Sequence, residues 1–164
     1  MLQTISFIRH AKTEQPGLGE SDYNRALLPR GFKDAQLTAE VIIAKNTVPE
    51  ILISSGAVRA LQTAEILLDV WRSNGFEVKH QVEKELYLSP VSTLFETAQK
   101  SLTQFNHAAI VAHNPGIHEA AASLSILPQH EAPTCAVFHF QLPTGFAFQK
   151  GINPKFVIFP RDFK

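Results

Sequence analysis

The sequence predicts an α/β layer fold, on three observations: short β-rich runs alternate with longer helix-periodic stretches, two of the runs are apolar almost throughout, and the runs stop abruptly at polar residues. The expected architecture is a three-layer α/β/α sandwich, with a mostly parallel six-stranded sheet and helices on both faces. Strands are expected near 3–9, 50–54, 76–82, 108–112, 135–141 and 154–159, and helices near 31–45, 57–73, 91–104 and 116–125.

The first strand ends at Arg9-His10. Residues 11–29 follow without periodicity, broken at Pro16-Gly17 and carrying Glu14, Glu20, Asp22 and Arg25, which reads as a binding loop edging a site. Pro29 and Gly31 mark the entry to the first helix, and Pro49 ends the connection to the second strand. Ile51-Leu52-Ile53 suits a central strand covered on both faces. In the next helix Ala57, Ala60, Leu61, Ala64, Leu67, Leu68 and Trp71 recur at spacings of three and four, one apolar stripe from which Arg59 is excluded. Gly75 precedes the third strand and Pro90 the third helix. Ala108-Ala109-Ile110-Val111-Ala112 is a second central strand, and Pro115-Gly116 turns it into the fourth helix. Pro128 and Pro133 lead to a fifth strand, Pro143, Gly145 and Pro154 punctuate the return, and Phe156-Val157-Ile158-Phe159 forms the last strand.

A chain of 164 residues with 45% hydrophobic composition and 12 Phe is expected to bury one core, as a single domain over 1–164. Fifteen basic residues balance fifteen acidic ones without a charge run, which argues against nucleic-acid and membrane partners. Cys135, the single cysteine, excludes an internal disulfide and a CxxC zinc site and reads as a buried structural thiol. No apolar stretch approaches the ~20 residues of a membrane span, and Met1-Leu2-Gln3-Thr4 does not open a signal peptide, so a soluble cytoplasmic protein is expected.

Three strand exits carry chemistry. Ligands of open α/β sheets bind outside the carboxyl ends of strands, where Arg9 and His10 stand. A guanidinium offers phosphate a charged fork of donors, and an imidazole can act as a nucleophile at neutral pH. After Ile53, Ser54-Ser55-Gly56 leads into a helix with Arg59 in its first turn, where free N–H groups already favour an anion. Taken alone, Arg59 reads as a surface arginine pairing with Glu65 or Asp69. His113 ends the fourth strand, and taken alone it reads as a structural histidine. Two histidines and two arginines at strand exits together indicate an oxyanion pocket.

The blocks Arg9-His10-Ala11-Lys12, Ser54-Ser55-x-x-x-Arg59-Ala60-x-Gln62-Thr63-Ala64 and Val111-x-His113-Asn114-Pro115 resemble the motifs of the histidine phosphatase superfamily, phosphoglycerate-mutase-like branch. Ser21-Asp22-Tyr23-Asn24-Arg25-x-Leu27-x-x-x-Gly31 and Glu85-Leu86-Tyr87 bring the chain nearest to the SixA-like phosphohistidine phosphatases. The resemblance implies a phosphoglycerate-mutase-like fold with His10 as a nucleophile that becomes phosphorylated, and Arg9, Arg59 and His113 around the phosphoryl group. It implies no metal and no cofactor, and a phosphorylated protein as substrate, such as the histidine phosphotransfer domain of a two-component relay. Phosphate or sulfate would occupy the pocket.

Glu85 is the positional match for the glutamate that protonates the leaving oxygen in many superfamily members, although a surface carboxylate beside Lys84 fits equally. Arg25 either reaches the phosphate or orders its loop through Asp22, a plain surface ion pair fitting equally, and Ser55 reads as a helix N-cap. His113 and His118 lack the i, i+4 spacing of a helical metal pair, and His80, His107, His130 and His139 read as ordinary surface or core residues. A phosphatase of small phosphoesters and a catalytically silent phosphoprotein-binding module remain as alternatives.

Overall fold

The computed structural model describes residues 2–164. The strands are β1 (Leu2–Arg9), β2 (Ile51–Ser54), β3 (Lys79–Val82), β4 (His107–Ala112), β5 (Val137–Pro143) and β6 (Phe156–Ile158). The helices are α1 (Pro29–Ala44), α2 (Val58–Ser73), α3 (Val91–Leu102) and α4 (Gly116–Leu124). One six-stranded sheet runs in the order β3-β2-β4-β1-β5-β6. β1, β2, β3 and β4 are mutually parallel, while β5 is antiparallel to β1 and β6 to β5.

Alternation along the strands builds a core on each face. Ile5, Phe7, Ile51, Ile53, Ala108 and Ile110 point to the face covered by α3 and α4, where they meet Leu94, Ala98, Ile117 and Leu124. Ile8, Leu52, Ala109 and Val111 point to the other face, against Ala39 and Ile42 of α1 and Ala60, Ala64, Leu67 and Trp71 of α2. Buried side chains as large as Phe7, Phe138 and Phe140 each contribute on the order of 1.5–3 kcal/mol. Trp71 also donates its indole N–H to the carbonyl of Ala39 at 3.2 Å, so the α1–α2 contact leaves no indole donor orphaned.

The expected elements are present within a few residues. α1 starts at Pro29 rather than at Gly31, because proline is tolerated at the first helical position, where its missing N–H costs no bond. β3 is shorter than the expected 76–82 and mostly exposed, as an edge strand with the sequence Lys-His-Gln-Val allows. Gly31 lies against the loop: a Cβ there would stand 2.3 Å from the carbonyl oxygen of Lys12. Among the described residues no helix is long and apolar enough to cross a membrane.

Candidate active site

In the order β2-β4-β1 three parallel strands lie side by side, so their carboxyl ends open on one crevice. The chain leaves β1 toward α1 on one face and β4 toward α4 on the other, which is the divergence that leaves room for a ligand. His10 extends β1 by one residue: its N–H bonds Ala112 O at 3.0 Å, and its carbonyl accepts from Cys135 N at 3.0 Å. Arg59 comes from the first turn of α2, and His113 follows β4. These two residues, with Arg9, His10, Lys12, Thr13, Asp22, Arg25, Leu88 and Asn114, line a cavity of about 300 Å³.

The His10 ring is fixed by its own turn. Nδ1 lies 2.8 Å from the carbonyl oxygen of Ala11, which accepts the ring proton there and leaves Nε2 with its lone pair free. Ala11 N in turn donates to Thr63 Oγ1 at 3.0 Å, and the Thr63 hydroxyl donates to the carbonyl of Arg59 at 2.7 Å, so the turn after β1 is tied to α2. Burial lowers the His10 pKa to about 3, and His113, Arg59 and Arg9 add to the depression against the raising effect of the Ala11 carbonyl. At neutral pH the imidazole is uncharged.

Arg59 is only 1% exposed, which answers the surface reading of composition alone. Its Nε donates to His10 Nε2 at 3.2 Å, Nη1 to the Asp22 carbonyl at 2.7 Å and Nη2 to Asp22 Oδ2 at 3.0 Å. Asp22 also accepts from Arg25 Nε at 2.9 Å through Oδ1 and from the Tyr87 hydroxyl at 2.5 Å through Oδ2. These bonds, the one from Tyr87 foremost, pull its pKa down to about 2. Arg25 is further tied to Thr13 Oγ1 at 2.8 Å. Arg9 donates Nη1 to Ala132 O at 2.9 Å and leaves Nε buried and unpartnered, while burial, Arg25 and Arg59 lower its pKa. The cavity thus sets Arg9, Lys12, Arg25 and Arg59 against a single lining carboxylate, Asp22, an imbalance suited to an anion.

His113 stands beside His10, ring centroids 5.3 Å apart. Its Nε2 is 2.8 Å from Ser55 Oγ, and its Nδ1 is buried without a partner. Burial first, then Arg59, lowers its pKa to about 4. Ser55 is not the N-cap of α2, a place taken by Ala57; it accepts from Ala57 N at 3.2 Å and holds His113 instead. Tyr23 covers Gly56 closely: a Cβ there would lie 2.3 Å from its hydroxyl, so a larger residue would displace that side chain.

The structure brings Arg9, His10, Arg25, Arg59 and His113 together, and leaves Glu85 outside. Glu85 is exposed on the 3-10 turn Lys84–Leu86 and lines a separate groove with Gln81, Glu83, Thr93 and Glu96, the position of the surface carboxylate that the sequence equally allows. Tyr87, two residues on, is the one that reaches the site. Its position in the Glu85-Leu86-Tyr87 block was the available signal, but only the Asp22 contact from 65 residues away reveals what it does. Cys135 is buried beside Ala11, Leu27 and Ala35, as expected, with its thiol pKa pushed up to about 12 by burial. Among the described residues no group of three or more His, Cys, Asp or Glu side chains is placed to hold a metal ion.

Known proteins resemble this chain in sequence or in fold. An uncharacterised protein of Mycobacterium tuberculosis is 25% identical over 137 residues, covering 84% of this chain and 82% of its own. One of Mycobacterium leprae is 26% identical over 121 residues, covering 72% and 71%. Among solved structures, a protein histidine phosphatase SixA complexed with tungstate superposes with a TM-score of 0.82 at 20% identity, covering 98% of this chain and 99% of its own. A phosphoserine phosphatase mutant from Entamoeba histolytica in complex with phosphoserine gives 0.61 at 15% identity, covering 92% and 96%, so the fold is shared by enzymes with different substrates. The sequence pattern of the histidine phosphatase superfamily (branch 1) matches residues 5–87, from β1 through the loop, α1 and α2 to Tyr87, and the chain belongs to that superfamily.

Proposed function

We propose that this protein is a phosphohistidine phosphatase that works through a phosphorylated His10. Nε2 of His10 attacks the substrate phosphorus in line; the new P–N bond forms as the bond to the leaving ring breaks, and that ring, protonated from solvent on its other nitrogen, keeps the electron pair and departs as neutral imidazole. Arg9, Arg25 and Arg59 carry the charge on the non-bridging oxygens, with His113 beside them. Water then attacks phospho-His10, releasing inorganic phosphate and restoring the imidazole.

The observation that carries the choice of substrate is the state of the one carboxyl group lining the cavity. Asp22 is held near pKa 2 and is ionised at neutral pH, and Glu85 faces elsewhere, so no carboxylic acid is at hand to protonate an alkoxide. Imidazole leaves without such help, because solvent protonates the far nitrogen of the phosphorylated ring, whose parent has a pKa of about 6.5, and the ring then departs neutral. The cavity is small and opens at the protein surface, which suits a side chain presented by another protein, such as a phosphotransfer domain of a two-component relay.

Phosphate release from a phosphohistidine peptide, compared with phosphoserine and sugar phosphates, tests this reading. The expected result is a preference of at least about 10²-fold in kcat/KM for phosphohistidine, lost in His10→Ala. A panel led by an alkyl phosphate ester overturns it in favour of a small-molecule phosphatase, and phosphate binding without turnover of any donor overturns it in favour of a binding module.

A further inference from the structure

Arg59 uses the two edges of its guanidinium differently. The end edge, Nη1 and Nη2, is held entirely by Asp22, through the carbonyl at 2.7 Å and Oδ2 at 3.0 Å. The side edge, led by Nε, faces His10 Nε2 at 3.2 Å, where the bond to phosphorus would form. An anionic side chain in an anion cavity is costly unless it organises the cations around it. Asp22 does this on both oxygens, with Arg25 on Oδ1 and Arg59 on Oδ2.

Tyr87 sets the orientation of that carboxylate. Its hydroxyl donates to Oδ2 at 2.5 Å, and its ring is wedged edge-on between Tyr23, at 4.8 Å, and His113, at 5.5 Å, with the Arg59 guanidinium 5.8 Å from its centroid. The groups facing Asp22 are therefore Arg59 from α2, Arg25 from the loop, Tyr87 from the turn after β3 and, at longer range, His113 from the end of β4. The hydroxyl bonds the carboxylate, while the ring, which Tyr87→Phe keeps, lies against Arg59 and His113.

We infer that Tyr87, acting through Asp22, is a positioning residue for the phosphoryl-transfer reaction: together they clamp the end edge of Arg59 so that its side edge stays turned on Nε2 of His10. The inference rests on the phosphatase reading above. A donor held in place before charge develops acts mainly on the transition state, so loosening the clamp lowers kcat more than it raises KM. Removing the Asp22 charge also takes a negative group out of the cavity, so inorganic phosphate binds no more weakly while turnover falls.

The test is a double-mutant cycle of Tyr87→Phe and Asp22→Asn, with kcat and KM measured on a phosphohistidine peptide, inorganic phosphate affinity measured by calorimetry and folding checked by circular dichroism. Tyr87→Phe is expected to lower kcat by about 3- to 10-fold and Asp22→Asn by about 10- to 100-fold, with phosphate affinity held or increased in the latter. The double variant is expected to match Asp22→Asn alone, because the tyrosine acts through the carboxylate. Additive losses, unchanged kcat, or kcat and phosphate affinity falling together in a folded variant overturn the inference while leaving the phosphatase reading intact. A wild-type protein no more active than His10→Ala overturns the reading and the inference with it.

Discussion

Nε of Arg59 points at Nε2 of His10 across 3.2 Å, so the nitrogen proposed as the nucleophile and a fixed cation already face one another. Because His10 is neutral, the contact is a hydrogen bond from the cation to the imidazole lone pair rather than a clash of charges. In the proposed reaction a phosphoryl group replaces this bond with its own oxygens on Arg59 and its phosphorus on Nε2.

Replacing His10 by Ala is expected to abolish turnover and acid-labile labelling from a phosphodonor, while the far-ultraviolet circular dichroism stays that of the wild type. Turnover at the wild-type rate would remove His10 as the nucleophile.

Arg59→Ala is expected to lower kcat by on the order of 10²-fold or more, the scale for losing one preorganised donor. Arg59→Lys should recover little, because a single ammonium cannot hold Asp22 with one edge and face His10 with the other. Steady-state kinetics checks both, and a loss below threefold in Arg59→Ala would demote the residue.

Glu85→Gln should leave phosphate release from any donor within about twofold of the wild type, the small effect expected of an exposed carboxylate outside the cavity. A loss above tenfold on a phosphoester, measured beside phosphohistidine, would restore it as the acid.

Gly31→Ala puts a methyl group 2.3 Å from the Lys12 carbonyl oxygen, a backbone atom that cannot swing aside. The expected cost is about 1–3 kcal/mol, read as a lower urea midpoint. Turnover should fall with it, since Lys12 adjoins the His10 turn and the cavity.

Acid should weaken the fold through three histidines that are buried in the uncharged form. His10, His113 and His139 have pKa values lowered to about 3, 4 and 4, chiefly by burial, so below about pH 6.5 the unfolded chain binds protons that the folded one does not. Stability contributed by keeping them neutral is therefore full above pH 6.5 and declines as pH falls toward 4, by about 1.4 kcal/mol per pH unit for each group. Urea unfolding at pH 7 and pH 5 checks the sum. Imidazole resonances of the folded protein that titrate near pH 6.5 at these three positions would contradict it.

The sequence displays what local pattern controls. Continuous apolar runs mark β2 and β4 because both of their faces are covered, and the polar residues that stop β1 and β4 are the ones the crevice uses. The edge strand β3, with exposed Lys79, Gln81 and Val82, has too little pattern to fix its start. The loop between β1 and α1 was legible as a binding loop but not in shape: its 3-10 turn at Asp22–Asn24 and its bridge from Thr13 to Leu27 depend on Arg59, Gln62 and Tyr87, which are distant in the chain. The same holds for Glu85 and Tyr87. Two residues apart, Glu85 lines an outer groove while Tyr87 bonds Asp22, and composition gives no means of telling which side chain turns inward.

Placing His10 at the end of an inner strand has a consequence for native-state opening. β1 is hydrogen-bonded to β4 on one side and β5 on the other, whereas β3 and β6 each have one free edge. Amide hydrogens at the sheet margins exchange with solvent through small fluctuations that cost little, while those of Phe7 and Ile8 exchange only when the whole molecule comes apart. The backbone beneath His10 is therefore expected to outlast the periphery, whereas the turn that carries Tyr87 shares the fate of the rim strand before it.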